Sequence, residues 1–181
     1  MTEFKNEELI IGFVDETSQE VNPNTVRFWS YTKPVLKKKT AYLRVNSVGA
    51  YLINGCSVIT FPERTRTIEF CEFLDEVRNK NPYSTICLIL DNYPVHKARA
   101  VQMKAKKMNI ILINLPRYSP DLNPIEYIWK SIKRVLSDKC LNDRLEIAAV
   151  VQESFFSLGF QLSFVKRWCE NFLDDNLNML C

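Results

Sequence analysis

The chain holds a single histidine, His96, and only four glycines among its 181 residues. One histidine excludes a multi-histidine metal site. With no G-x-G-x-x-G or P-loop pattern, so few glycines leave no basis for a glycine-rich phosphate cradle. The six cysteines, Cys56, Cys71, Cys87, Cys140, Cys169 and Cys181, form no C-x-x-C pair. They read as reduced, mostly buried thiols, and not as a zinc site or disulfide frame. No apolar run approaches the ~20 residues of a membrane span. The acidic N-terminus, MTEFKNEELI, lacks a signal-peptide pattern. These absences predict a cytoplasmic protein, at the nucleoid if the host is prokaryotic, with no membrane partner.

Acids are also missing locally. None occurs from Val21 to Pro62, where six bases stand: Arg27, Lys33, Lys37, Lys38, Lys39 and Arg44. None occurs from Asn92 to Pro120, with Lys97, Arg99, Lys104, Lys106, Lys107 and Arg117. Segregation of this kind suits a polyanion-facing surface. Lysines that merely solvate a helix and a hairpin would produce the same pattern, so charge alone leaves both readings open. Hydrophobic residues make up 46% and charged residues 25%, the balance of one ordinary globular domain with a real core.

The apolar run 8–15 ends in an acid and predicts a buried strand. Residues 26–32 and 41–48 are rich in β-branched and aromatic residues and predict a hairpin; 51–61 adds a further pairing around Asn54-Gly55. Phe70, Phe73, Leu74 and Val77 recur at helical spacing within 67–80. The wholly apolar run 84–91 predicts a second buried strand ending in an acid. A basic helix follows at 97–108, then a buried strand at 109–115. Ile125, Ile128, Trp129, Ile132, Val135 and Leu136 form the apolar face of the next helix, with Lys130, Lys133 and Arg134 on its other side. Further helices are expected at 143–157 and 161–174, the last anchored by Trp168 and Phe172. This order predicts an α/β fold, a mixed sheet flanked by helices.

Glu126 admits two readings. Asn123, Pro124 and Glu126 fit the N-cap, N1 and N3 positions of a helix, where a glutamate closes a capping box. The alternative is a metal ligand. Asp15 and Asp91 each end an apolar strand. An acid there often only opens a turn. If the two strands are parallel neighbours, both carboxylates emerge at one sheet edge, where open α/β sheets bind ligands. The Glu126 helix can return to that edge. Three carboxylates with no histidine or thiol suit Mg²⁺, with Mn²⁺ as a substitute. Two such ions ~3.5–4 Å apart can act on a phosphodiester, and the base-rich stretches would hold a DNA backbone.

Three blocks then carry a resemblance: FVDE at 13–16, LDNYPVHKA at 90–98 and LPRYSPDLNPIEYIWKSIK at 115–133. They resemble the catalytic domain of D-D-E transposases of the mariner type and their prokaryotic insertion-sequence relatives. Thirty-four residues separate Asp91 from Glu126, the spacing of that group. The resemblance implies a ribonuclease H-like five-stranded sheet and a metal triad of Asp15, Asp91 and Glu126. It implies metal-dependent DNA cleavage and strand transfer on double-stranded transposon ends and target, with two ions in the DNA complex. It makes Glu16, Asn92, His96 and Asn123 candidates for supporting the triad or touching DNA. Lys37, Lys38, Lys39, Lys97, Arg99, Arg117, Lys130, Lys133 and Arg134 are candidate DNA contacts. A homodimer is the natural assembly for two ends.

Such proteins carry helix-turn-helix segments before the first catalytic Asp, and Asp15 lies too near Met1 to accommodate them. Residues 1–181 therefore read as a single catalytic domain, with end recognition expected from a separate polypeptide. Two other readings remain: a stand-alone ribonuclease H-like nuclease cutting hybrids or branched DNA, and a non-catalytic DNA-binding remnant.

Overall fold

Residues 9–21, 31, 43–117, 119–137, 139 and 141–159 are described by a computed structural model of the chain. Apart from Tyr31, the expected strand at 26–32 lies outside the described residues, as do the helix at 161–174 with Trp168 and Phe172, the Lys37–Lys38–Lys39 cluster, Cys140, Cys169 and Cys181.

Apolar runs must be covered on both faces, which favours the middle of a sheet. β1 (Leu9–Val21) and β4 (Thr85–Leu90) take that place. They run parallel, with Gly12 opposite Leu88 and Phe13 opposite Ile89. β2 (Leu43–Leu52) lies antiparallel along the other side of β1, and β3 (Val58–Thr60) pairs antiparallel with β2 across the turn containing Asn54-Gly55. β5 (Ile110–Asn114) is parallel to β4. The resulting order is β3-β2-β1-β4-β5, the mixed five-stranded sheet expected from the sequence. Helices α1 (Thr67–Lys80), α2 (Arg99–Lys107), α3 (Ile125–Ser137) and α4 (Arg144–Gly159) flank it.

Successive strand residues point to opposite faces, and the core divides accordingly. Ile10 and Val14 of β1 join Phe70, Phe73, Leu74 and Val77 of α1 and Val101 and Ala105 of α2. Phe13 joins Ile125, Ile128, Trp129, Ile132 and Leu136 of α3 and Ile147, Val151 and Phe155 of α4. Full burial of each such large apolar side chain contributes about 1.5–3 kcal/mol, so both helix pairs are firmly seated. No helix among the described residues is long and apolar enough to cross a membrane.

Several expectations are corrected. The first strand does not stop at Asp15. β1 continues to Val21 because β2 supplies a hydrogen-bonding partner along Gly12–Val21. The strand predicted at 109–115 is an edge strand, not a buried one. Ile111 and Ile113 are about half exposed, 49% and 48%, because the described helices on that face, α3 and α4, pack over β1 and β2. Val135 falls at the margin of the α3 stripe and is exposed. Among the described cysteines only Cys87 is buried; Cys56 is exposed, Cys71 half-buried, and all three are free.

Candidate active site

The parallel register of β1 and β4 brings the two aspartates together. Two residues beyond the Phe13–Ile89 pair, β1 reaches Asp15 and the chain leaving β4 reaches Asp91. Asp15 has the same strand parity as Phe13 and so faces α3. Glu16 faces the other way, toward α1 and α2.

α3 supplies the third acid. Its buried stripe presses Trp129 onto β2 beside Asp15, where the residue opposite is Gly49. A Cβ on Gly49 would lie 2.8 Å from the Trp129 ring and 3.0 Å from Phe155. The bare glycine lets α3 approach, with Trp129 and Phe155 stacked at 5.4 Å. Glu126, one turn before Trp129, thereby reaches the sheet edge.

The predicted cap is not formed. The first turn is held by main-chain bonds, Glu126 N–H to the Asn123 carbonyl (3.1 Å) and Tyr127 N–H to the Pro124 carbonyl (3.1 Å). The Asn123 side chain is buried, and its Nδ2 donates to the Val14 carbonyl at 3.1 Å while its Oδ1 has no hydrogen-bond partner. A long-range bond to β1 has displaced the local cap. It ties the α3 entry to the residue before Asp15.

Asp15, Asp91 and Glu126 line one cleft of about 460 Å³, together with Asn92, Tyr93, Leu115, Pro116, Arg117, Ser119 and Asn123. Its volume lies within the range of binding sites. Burial, then the charges of Glu126 and Glu16, push the Asp15 carboxyl up to about 8; a hydrogen bond from the Glu16 main chain works against this, and the Asp91 charge adds to it. The cleft is therefore overloaded with negative charge. It offers carboxylate, amide and hydroxyl oxygens but no thiol or imidazole. That donor set fits a hard divalent cation, Mg²⁺ or Mn²⁺.

A second acidic group lies behind the first. Glu16, Asp91 and His96 hold potential ligand atoms within 4.8 Å of one another. Their bonding argues against a cation there. His96 Nε2 meets Glu16 Oε1 at 2.8 Å, and Nδ1 meets Asp91 Oδ1 at 3.1 Å. The carboxylates occupy different nitrogens, so the ring itself fills the space between them. Burial works to lower the His96 pKa, but the Glu16 hydrogen bond and charge, with the Asp91 carbonyl and carboxylate, hold it above its ordinary value. His96 is fully buried, which removes it as a DNA contact. Asn92 donates from Nδ2 to the Leu115 carbonyl and fastens the β5 exit to the β4 exit.

The basic candidates separate. Arg117 lies in the cleft wall. Lys130, Lys133 and Arg134 share an α3 face with Glu126, along a groove that also includes Asp121, Tyr127 and Ser137. Cleft and groove meet at Glu126. Lys97 and Arg99 are exposed near the α2 start and line neither. Three contributors were missed in the sequence. Tyr93 donates its main-chain N–H to Asp91 Oδ1 (2.8 Å), Asn114 donates from Nδ2 to the Asp91 carbonyl (2.8 Å), and Gly49 gives room to Trp129. An Asp two residues before an N–H is a recognisable Asx turn; the other two had no local signal.

Comparison with known proteins finds relatives in sequence and in fold. The chain is 39% identical over 46 residues to the Tc1 transposase of Caenorhabditis elegans, a stretch covering 25% of this chain and 17% of that protein. Its fold is similar to the Mos1 transposase paired-end complex with left transposon end, at a TM-score of 0.65 and 21% identity, covering 87% of this chain and 53% of the Mos1 chain. It is also similar to the mariner Mos1 paired end complex with Mg, at a TM-score of 0.64 and 17% identity, covering 89% and 54%. The chain thus spans about half the length of the Mos1 chains it resembles. The ribonuclease H-like arrangement expected from the motifs is the fold they share. The family described as DDE superfamily endonuclease matches residues 11–147, well over half of the sequence, and the chain belongs to that family.

Proposed function

We propose that the chain is the catalytic domain of a transposase, which cleaves DNA strands and transfers them with the help of divalent metal. Asp15, Asp91 and Glu126 would hold the metal. The observation that carries this reading is their meeting in one cleft, from β1, the β4 exit and the start of α3, which opens onto the Lys130–Lys133–Arg134 groove. Structures of Mos1 with transposon-end DNA and with Mg support the same reading.

The chain's own residues have distinct tasks. Asp91 is oriented through Oδ1 by the Tyr93 N–H and the His96 ring. Asn123 locks the α3 entry to the β1 backbone. Arg117 and the α3 bases bind phosphates on either side of the scissile bond, a contribution that weakens with salt. Magnesium or manganese, held singly or as a pair, would activate the attacking oxygen and offset charge on the phosphodiester. In cleavage, a water oxygen bonds to phosphorus, the P–O3′ bond breaks, and the 3′ oxygen takes a proton. In transfer, that 3′-hydroxyl bonds to a target phosphorus and loses its proton, the target P–O3′ bond breaks, and the released 3′ oxygen takes up a proton. A homodimer would hold two ends, and helix-turn-helix segments would select them. The reaction would take place in the cytoplasm, at the nucleoid in a prokaryote.

The test is cleavage of duplex DNA with Mg²⁺ or Mn²⁺, in the presence of an end-recognising segment. Wild type should cut, while Asp91→Asn and Glu126→Gln, folded by circular dichroism, should not. Full cleavage by either variant would sink the assignment. DNA binding without any metal-dependent cutting by wild type would favour a non-catalytic module.

A further inference from the structure

Behind the cleft lies a polar group that the proposed reaction does not use directly. His96 is fully buried, with its ring centroid 4.5 Å from that of Phe70 and 5.7 Å, edge-on, from that of Tyr93. Its main chain is held as well: the N–H donates to the Tyr93 carbonyl (3.0 Å), and the carbonyl accepts from Gln102 Nε2 (2.7 Å). Buried polar groups stay ordered only when each has a partner. Here both ring nitrogens have one, Glu16 on β1 and Asp91 after β4.

Asp91 needs such support. Its side chain is 56% exposed and stands just past the end of a strand. Oδ1 takes two contacts, from Tyr93 N–H and His96 Nδ1. The Tyr93 N–H donates to Oδ1, His96 Nδ1 faces the Asp91 carbonyl at 3.4 Å and stands 3.1 Å from Oδ1, and Oδ2 is left without a hydrogen bond among the described residues.

We propose that Glu16 and His96 are a positioning pair. Glu16 fixes the His96 ring, and His96 fixes Asp91 so that Oδ2 remains available to a divalent cation. This rests on the reading of Asp15, Asp91 and Glu126 as the ligands. The pleat separates the two duties: Asp15 serves the cleft on one face of the sheet, and Glu16 braces Asp91 from the other. Loss of an outer partner of a ligand typically costs about 10–100-fold in metal affinity.

The experiment measures Mn²⁺ binding to the full chain by electron paramagnetic resonance, with melting temperatures on the same samples. Glu16→Gln and His96→Gln should each weaken Mn²⁺ binding by about 10-fold or more while the protein still melts cooperatively. Should His96→Gln fail to fold, Glu16→Gln, at the partly exposed end of the pair, carries the test. The double variant should bind no worse than the weaker single variant, because both act through Asp91. Asp15→Asn is the control for the underlying triad and should abolish binding. Unchanged Mn²⁺ affinity in the Glu16 and His96 variants, with Asp15→Asn still inactive in binding, overturns the pair and leaves the triad standing. Additive losses in the double variant also overturn it, since Glu16 would then act on the cation independently. Unchanged binding by Asp15→Asn overturns the triad and the pair with it.

Discussion

Asp15 and Glu16 are neighbours in the chain with opposite surroundings. Asp15 faces α3, and burial with Glu126 and its other acidic neighbours pushes its carboxyl up to about 8. Glu16 faces the α1 and α2 side and meets the His96 ring at 2.8 Å. One face is an acidic cleft; the other is a hydrogen-bonded Glu16–His96 pair packed on Phe70. A strand can build both because its side chains alternate across the sheet. A cleft proposed to receive a cation gathers three carboxylates around a single arginine, while the support behind it is completed within the fold.

The largest effect should come from breaking the cleft face. Asp15→Asn is expected to abolish metal-dependent DNA cleavage in a gel assay. It should also stabilise the metal-free protein. With its pKa raised from 3.8 to about 8, Asp15 keeps in the native state a proton that the unfolded chain releases. Stability from this group is full below 3.8 and is lost as pH rises toward 8. In EDTA the variant should therefore melt above wild type at pH 8 and close to it at pH 4. A variant that melts lower at pH 8 would contradict the strained cleft.

Next comes the spacing of α3 over the sheet. Gly49→Ala sets a Cβ 2.8 Å from Trp129. Overpacking of this kind costs about 1–3 kcal/mol, readable by chemical denaturation. Because Glu126 rides on the same helix, cleavage should fall even where the variant is fully folded.

Asn123→Ala sharpens the same comparison more gently. It removes the bond to the Val14 carbonyl at a cost of about 1 kcal/mol. The unpartnered Oδ1 leaves with it, which offsets part of the loss. A denaturation midpoint slightly below wild type, with reduced cleavage, is expected.

The smallest effect belongs to the groove. Lys133→Ala should weaken DNA binding uniformly across sequences and lower the salt slope of the binding constant by about 0.9. Fluorescence anisotropy over a range of salt concentrations checks this. An unchanged slope would place the DNA backbone elsewhere.

The elements differed in how far they could be read in advance. α1 was legible to its ends, because Phe70, Phe73, Leu74 and Val77 repeat at helical spacing and are all buried. The strand runs were legible as apolar, but their fates were not. The run at 84–91 became central and the one at 109–115 an edge, and only the placement of helices over the sheet decides which isoleucines stay exposed. Asn123 shows the limit most directly. Local chemistry favoured a cap, and a bond to a residue 109 positions away took its side chain instead.

The sequence by itself determined the identities and spacing of Asp15, Asp91 and Glu126, the helical stripe beneath Glu126, and the base-rich stretches, because each is written in neighbouring residues. Tertiary structure alone decided that β1 and β4 are parallel and in register, that Gly49 admits Trp129, and that Glu16 and His96, 80 residues apart, close behind Asp91. Those contacts depend on strand pairing and helix packing between distant segments, and no local pattern of side chains encodes where two such segments will meet.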